Sequence, residues 1–442
     1  MDGGVTPMRS HVAEIVREGK SRAKAVDTVC SSKLEAVYDT SLFRTVASWR
    51  CESDLGDHKI HRMMSRVGGF PPALARYFVA TFSKAGDTVL DPFCGKGTAL
   101  FEAMQMGRSV IGGDIAADAV VVSRAKCHPV TVADVARYIQ NLSIGEKYDA
   151  TEVPGDVSLF FSHKTLAEIM SIRAQLLRDM RGRGTRDAAT FVCGVMLGLL
   201  HGHSRLSLSL PCNQAFAMAP AYVRRYVKKH GLRRPCRDVR RCLLERSLEM
   251  LPFPRFEAMS HVTMAPASEC HNYVTKVAKE VDLVLTSPPY LSRQTYIKDS
   301  WLRTWFLGAE RQAQATVTLE TGNVAKFVEG IGRSLHSMAR SVKRGGRIVL
   351  VCGRGKVTFG GEDHSVPIAG LCLYAINRSS VLRKALVPEN IIRDRVMMKR
   401  GSYFAVHHGK VDNGNGVKSR RFGEDEILVV RKDQSVCKPP EE

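Results

Sequence analysis

The chain has 442 residues, with 65 Lys and Arg against 44 Asp and Glu, and so carries a formal charge of +21. Hydrophobic residues make up 44% and charged residues 25%, which excludes wholesale disorder, and no apolar run approaches the ~18 to 20 residues of a membrane span. A cationic surplus of this size draws a protein to polyanions, of which nucleic acid is the commonest.

In chain order, residues 1–52 are weakly patterned and predict an N-terminal helical arm, and Met1 to Asp27 lacks the continuous apolar stretch of a secretory signal. From Val89 the texture changes to short apolar runs alternating with helical stretches. Thr88 to Leu90, Ser109 to Asp114, Val281 to Thr286, Gly346 to Val351 and Glu426 to Val430 are apolar at nearly every position. Such strands are buried on both faces, as in a parallel sheet covered by helices, so the expected class is α/β. Residues 151–259 break the rhythm. Thr165 to Met180, Ala188 to Leu200 and Ala221 to Leu251, with a break near Gly231 and Pro235, have helical periodicity and predict a helical insertion. The sheet is then split into residues 53–150 and 260–432, with a frayed tail at 433–442.

The 12 cysteines stand singly, with no Cys-x-x-Cys and no Cys/His set at zinc spacing, so no metal is expected. Scattered thiols fit a reducing cytoplasm.

The first strand runs into Asp91-Pro92-Phe93-Cys94-Gly95-Lys96-Gly97-Thr98. Gly95 and Gly97 permit a tight turn with close backbone approach, and the next helix, Ala99 to Met106, presents its N-terminus there. The spacing is neither G-x-G-x-x-G nor that of a phosphate loop, so Lys96 is not expected to grip a phosphate. Asp114, about 20 residues on at the end of the next strand, stands where an acid meets a ribose in dinucleotide folds. Further along, Thr286-Ser287-Pro288-Pro289-Tyr290 closes another buried strand. Two prolines in series hold backbone carbonyls in a stiff array, a polar residue before them adds a hydrogen-bond partner, and Tyr290 offers a ring face for stacking.

Asp91 to Thr98 resembles the D-P-F-x-G-x-G-T motif of amino-group DNA methyltransferases, and Ser287 to Tyr290 looks like their [DNS]-P-P-[YFW] catalytic motif. The likeness extends upstream to Phe70-Pro71-Pro72-Ala73-Leu74 and downstream through Arg344-Gly345-Gly346. It implies a Rossmann-like class I methyltransferase sheet and S-adenosyl-L-methionine as cofactor. The cofactor would lie against Phe70, Asp91, Pro92, Phe93, Gly95, Gly97 and Thr98, with Asp114 on the ribose and Ile115 against the adenine. The family also has an acid after its third strand; Ser268 and Glu269 both stand near that place. Ser-Pro-Pro resembles the cytosine-N4 branch, whereas Asp or Asn before the prolines is typical of adenine-N6 enzymes. Ser287, Pro288, Pro289 and Tyr290 are then the catalytic residues, acting on a base swung out of double-stranded DNA. A cognate restriction endonuclease is a partner the resemblance allows for. Downstream, Trp301 and Trp305 are expected to pack a helix, and Tyr296 either to pack or to line the base pocket.

The insertion concentrates positive charge: Arg224, Arg225, Lys228, Lys229, Arg240 and Arg241 are the expected phosphate contacts of a target-recognition region. Three rival functions stay open: an adenine-N6 DNA methyltransferase, an RNA base methyltransferase that shares the paired motifs, and a non-catalytic nucleic-acid binder that needs only the fold. A cytosine-C5 enzyme would use Cys212 or Cys236, each after a proline, as nucleophile, yet neither follows a buried strand.

Overall fold

The computed structural model describes residues 43–45, 58–66, 69–182, 184–202, 204–211, 219–252, 257–291, 300–310, 319, 321–359, 362–397 and 422–433. The expected N-terminal arm (apart from residues 43–45), Cys212, Tyr296 and the tail beyond residue 433 lie outside them.

The strands are β1 (Phe43–Thr45), β2 (Thr88–Asp91), β3 (Ser109–Asp114), β4 (Ser260–Met264), β5 (Val281–Thr286), β6 (Val342–Cys352), β7 (Arg354–Phe359), β8 (Glu362–Pro367), β9 (Leu386–Met397) and β10 (Phe422–Lys432). Eight of them form one sheet in the order β1-β9-β10-β6-β5-β2-β3-β4, and β7 and β8 pair separately. From β6 to β4 every pairing is parallel. The chain starts this block at β2, steps outward to β3 and β4, then returns to lay β5 on the other side of β2. That reversal makes the carboxyl ends of β2 and β5 the topological switch point, where open α/β sheets bind ligands. The α/β, Rossmann-like expectation holds, with one correction. The run Glu426 to Val430 belongs to a strand antiparallel to both β6 and β9, with Leu428 opposite Leu350 on one side and Ile391 on the other. An unbroken apolar run reports burial on two faces, not strand direction.

The α-helices of five or more residues are α1 (Pro72–Phe82), α2 (Thr98–Gln105), α3 (Ala117–Cys127), α4 (Val132–Gln140), α5 (His163–Asp179), α6 (Arg186–Leu199), α7 (Pro220–His230), α8 (Val239–Met250), α9 (Cys270–Val274), α10 (Trp301–Leu307), α11 (Val324–Ser341), α12 (Ile368–Arg378) and α13 (Ser380–Ala385). Alternate residues of each central strand serve opposite cores. Val89, Leu283, Leu285, Val349 and Val351 pack on α1 and α2 through Phe78 and Leu100. Leu90, Val284, Ile348 and Leu350 pack on α11 and α12 through Phe327, Ile331 and Ile376.

Between β3 and β4 the chain is helical, and its described residues contain no strand. This layer shares a third core with the domain: Phe161, Ile169 and Phe191 pack with Met63, Phe101, Val122 and Phe306. Its tightest seam is α6, where Gly198 lies against the backbone of Met63, whose carbonyl a Cβ would strike. Because that obstacle is main chain, it cannot swing aside as a side chain would. Gly198→Ala is therefore expected to destabilise the protein by about 1–3 kcal/mol, as overpacking does. A thermal melt unchanged within a degree or so would show that the seam yields.

Candidate cofactor and catalytic site

The turn after β2 is built as its glycines require. Gly95 and Gly97 have φ of 50° and 69°, and a Cβ on Gly97 would sit 3.0 Å from the Cα of Ser123 on α3. Only glycine satisfies both conditions at Gly97. The turn is held from outside by side chains of α3. The Ser123 hydroxyl donates to the Gly95 carbonyl at 3.1 Å, and the buried Lys126 amino group to the Lys96 carbonyl at 2.6 Å. The Gly95 N–H donates to Asp114 Oδ2 at 2.9 Å, and the Ala116 N–H to Oδ1 at 2.9 Å. Asp114 thus braces the turn and keeps further lone pairs on each oxygen for hydroxyl donors. Burial raises its pKa, while the Arg66 charge and the two backbone donors lower it.

Asp91, 2% exposed, joins this turn to the second motif. It accepts the Thr286 hydroxyl at 2.6 Å and the Phe93 N–H at 3.2 Å. Thr286, which also accepts from the Phe93 N–H at 3.3 Å, immediately precedes Ser287, so the two motifs meet through these hydrogen bonds. Burial pushes the Asp91 carboxyl up to about 7, against the Thr286 and Phe93 donors and with the charge of Asp114 adding to the rise. A carboxyl raised on folding favours the fold while protonated. Its contribution is present at acid pH and is lost as pH rises through about 7. A cationic ligand reverses that balance by favouring the anion. Affinity for a sulfonium cofactor is therefore expected to increase as pH rises through about 7, and Asp91→Asn to flatten the profile. Calorimetry across that range checks it; a flat wild-type profile would mean that Asp91 does not sense the ligand.

At the second motif, the Ser287 hydroxyl donates to the Val351 carbonyl at the end of β6, at 2.8 Å. Its hydrogen is committed, and its remaining lone pairs can only accept. Pro288 is buried and Pro289 half-buried. The Tyr290 ring, 8% exposed, packs against Gly353, where any Cβ would collide with it. Gly355 likewise leaves room for Leu291, whose Cβ would be 2.8 Å from an added methyl. The segment after β6 is thus a seat for the motif.

The remaining expected residues fall around these two. Phe70 packs on the α1–α2 side of the sheet and leads into α1, with Pro71 as N-cap and Pro72 at its first position. Pro92 is buried, Phe93 half-buried against the opposite core, and Ile115 half-buried after Asp114. Thr98 opens α2, its hydroxyl buried without a hydrogen-bond partner. Ser268 and Glu269 lie on a single turn after β4, Ser268 half-buried and Glu269 exposed. Trp301 packs edge-on against Phe160 at 5.6 Å, and Trp305 lies under the Arg173 guanidinium at 5.5 Å, so both tryptophans pack as expected. Cys236 is exposed on the link between α7 and α8, away from any strand.

Four participants had no sequence signal: Tyr273, Asp118, Arg66 and Arg303. Tyr273 on α9 places a buried hydroxyl without a hydrogen-bond partner against Gly113, next to Asp114. Asp118 is fully buried and takes both its oxygens to Arg66 at 2.8 and 2.9 Å, with Arg303 on α10 at 3.9 Å. Burial alone would raise the Asp118 carboxyl, but the paired guanidiniums win and hold it below the usual range. Arg303 also donates to the Leu197 carbonyl of α6 at 3.3 Å. One buried carboxylate thereby ties the segment before α1, the helical layer and the helix that follows the Ser-Pro-Pro-Tyr loop.

In the helical layer, Arg224, Arg225, Lys228 and Lys229 stand exposed on α7. Arg224 pairs with Asp156 at 2.6 Å, and on α8 Arg241 pairs with Glu245 at 2.8 Å. Arg240 is half-buried and donates to the Leu142 carbonyl. No cluster of His, Cys, Asp and Glu able to hold a metal occurs among the described residues, and no helix among them is long and apolar enough to cross a membrane.

Comparison with known proteins places residues 14–124 in the match of a family described as DNA methylase (N6/N4 type), a span that holds the first motif and not the second. The type II methyltransferase M.MjaI of Methanocaldococcus jannaschii is 40% identical over 62 residues, which is 14% of this chain and 20% of that protein. M.MjaII of the same organism is 29% identical over 83 residues, 19% of this chain and 16% of that protein. A tRNA (guanine(10)-N2)-dimethyltransferase of Methanothermobacter thermautotrophicus is 38% identical over 97 residues, 21% of this chain and 29% of that protein. The chain therefore spans less than a third of the length of each relative. Among solved structures, TrmN from Thermus thermophilus aligns with 85% of this chain and 53% of its own at TM-score 0.33 and 11% identity. The rRNA methyltransferase aviRa from Streptomyces viridochromogenes covers 74% and 99% at TM-score 0.28 and 13% identity. The fold assignment rests on the strand order, not on these two likenesses.

The left-handed glycine turn, the carboxylate at the end of β3 and the unpartnered buried hydroxyls of Thr98 and Tyr273 suit a small polar ligand with amino-acid and ribose parts. Together with the strand order, the family match over residues 14–124 makes this chain similar to the amino-group DNA methylases and implies S-adenosyl-L-methionine as its cofactor.

Proposed function

We propose that the chain transfers a methyl group from S-adenosyl-L-methionine to an exocyclic amine of a nucleic-acid base, with cytosine N4 in double-stranded DNA as the target. The observation that carries this reading is the committed hydroxyl of Ser287. An exocyclic amine is a poor nucleophile because its lone pair is delocalised into the ring. It becomes reactive when acceptors hold its hydrogens out of the ring plane. A free serine could donate or accept, but the Ser287 hydroxyl already donates to the Val351 carbonyl, so toward any further partner it can only accept. The Pro288 carbonyl would accept a hydrogen bond from the second amine hydrogen, and as the N–CH3 bond forms and the S–CH3 bond breaks the surplus amine proton is released to solvent. The Asp91–Thr286 bond sets this acceptor pair at a fixed offset from the cofactor turn, so positioning and electrostatics supply the catalysis.

In this reading Gly95, Gly97 and Thr98 hold the amino-acid end of the cofactor, and Phe70, Pro92 and Phe93 flank it. Asp114 takes the ribose, Ile115 the adenine, and Ser268 or Glu269 the adenine amine. The cofactor supplies an electrophilic sulfonium methyl group; the chain binds, orients and withholds water. Tyr290 leaves Gly353 to stack on the swung-out base, and residues 151–259 recognise the target through the basic residues of α7 and α8. A cytoplasmic site and a cognate restriction endonuclease belong to the same proposal, the latter supported by the type II methyltransferase relatives.

Incubating the protein with labelled cofactor and DNA or RNA, then weighing the nucleosides, tests it. N4-methylcytosine in DNA is the expected product. N6-methyladenine would keep the pocket and change the base. A second reading is favoured by one specific finding, the tRNA guanine-N2 relative, whose target is also an exocyclic amine; a methylated base in RNA alone would establish it. 5-Methylcytosine, with activity lost in Cys212→Ala, would overturn the acceptor mechanism.

A further inference from the structure

We infer that helix α7 is a stacking platform for unpaired nucleotides of the nucleic-acid target. Val223 is its one fully buried residue, so most of the helix surface faces solvent. On that surface stand Tyr222, Tyr226 and His230, spaced four apart and therefore on one face. Tyr222 and Tyr226 are stacked, with centroids 5.7 Å apart and planes at 18°, and His230 follows 4.4 Å from Tyr226 with its plane tilted by 44°. Tyr222 ends the row with 38% of its surface exposed. Arg225 and Lys229, each three residues after a tyrosine, flank the rings; they and Lys228, on the far side of the helix, are exposed and form no ion pair with any described residue. They differ in this from Arg224, Arg240 and Arg241, which are engaged within the protein.

Free cations alone would make a phosphate clamp, indifferent to whether the bases are paired. The stacked tyrosines add something a duplex backbone cannot use, because paired bases hide their faces in the helical stack. An unpaired base has an open face, and stacking on a ring is sequence-tolerant while neighbouring cations track the phosphates. A ring row bordered by unpaired cations thus has the chemistry of single-strand recognition, whether the strand comes from opened DNA around the target or from an RNA loop. The inference goes beyond methyl transfer, because this surface binds without cofactor or turnover.

The test is fluorescence anisotropy of the full chain without cofactor, using a labelled deoxyoligonucleotide of about 20 nucleotides, its RNA counterpart and the matching DNA duplex. Tyr222→Leu with Tyr226→Leu keeps apolar bulk but removes the ring faces. It is expected to weaken single-strand binding by about 5- to 150-fold per base lost, while duplex affinity changes less than about twofold. Tyr222→Phe with Tyr226→Phe keeps the faces and is expected to retain binding, which controls for helix folding along with circular dichroism. Arg225→Gln with Lys229→Gln is expected to weaken all three probes, flattening the salt slope by about 0.7 to 0.9 per lost contact. Comparison of the DNA and RNA strands identifies the source of the nucleotides. Equal weakening of duplex and single strand in the leucine pair, or no weakening of either, would reduce α7 to a phosphate clamp and overturn the platform. Retained single-strand binding without any methylated product would instead count against the proposed function.

Discussion

Ser287→Ala is expected to lower kcat by about 10²- to 10³-fold and to leave cofactor affinity nearly unchanged. The magnitude is that of removing one preorganised hydrogen-bonding group from a charge-developing centre. Its basis is the direction of the existing bond: the hydroxyl donates to the Val351 carbonyl, so its oxygen is an acceptor before any substrate arrives. As the amine nitrogen turns tetrahedral its hydrogens become more acidic, and the acceptor gains strength in the transition state relative to the ground state. Such a group moves kcat and kcat/KM together and leaves binding alone. Single-turnover rates and calorimetric cofactor titration on the same variant separate the two. A variant whose cofactor affinity falls as far as its rate would show that Ser287 is structural. Cys236→Ala is the paired control, expected to retain full turnover, because Cys236 is exposed on a link between helices and no strand presents it.

The parts of this molecule that were legible in the sequence are those whose signal is local. The central strands announce themselves because each serves two cores and so is apolar at consecutive positions, and the glycines at 95 and 97 mark the turn because its backbone is left-handed. Direction is not local: the two-faced burial of Val429 and Val430 reads the same in a parallel or an antiparallel strand. The charge of the helical layer was visible, but its employment was not. Arg240 and Arg225 look alike in sequence, yet one satisfies the Leu142 carbonyl and the other faces solvent. Arg66, Asp118 and Arg303 lie far apart along the chain, and nothing in the spacing of an isolated arginine foretells a buried carboxylate partner. The seat of the second motif was hidden for the same reason, since Gly353 and Val351 reach Tyr290 and Ser287 only through the pairing of β5 with β6.

Asp114→Ala is expected to weaken cofactor binding by at least about tenfold, and Gly95→Trp to abolish it. The carboxylate has two tasks at once. It accepts the Gly95 and Ala116 N–H groups, which fixes the turn relative to the end of β3, and it offers the lone pairs left over to a ribose. A hydrogen bond to a charged acceptor contributes about 1.5–3 kcal/mol, so losing the ribose contact alone accounts for a tenfold effect or more. Losing the brace frees the Gly95 N–H and loosens the turn in addition. Asp114→Asn separates the tasks. Its single carbonyl oxygen can keep one backbone donor, but its amide presents hydrogens to the other, so it should fall between wild type and alanine. Gly95→Trp acts differently: φ of 50° strains any side chain there, and the indole would enter the space beside the Arg66 side chain, 3.9 Å from the position of a Cβ. Ser123 and Lys126 still hold the Gly95 and Lys96 carbonyls from α3, so the fold should survive and the loss should be one of binding. Calorimetry with circular dichroism on all three variants measures this. Unchanged affinity in both Asp114→Ala and Gly95→Trp, with the fold intact, would move the cofactor away from the β2 turn and take the Asp91–Thr286 link out of the mechanism.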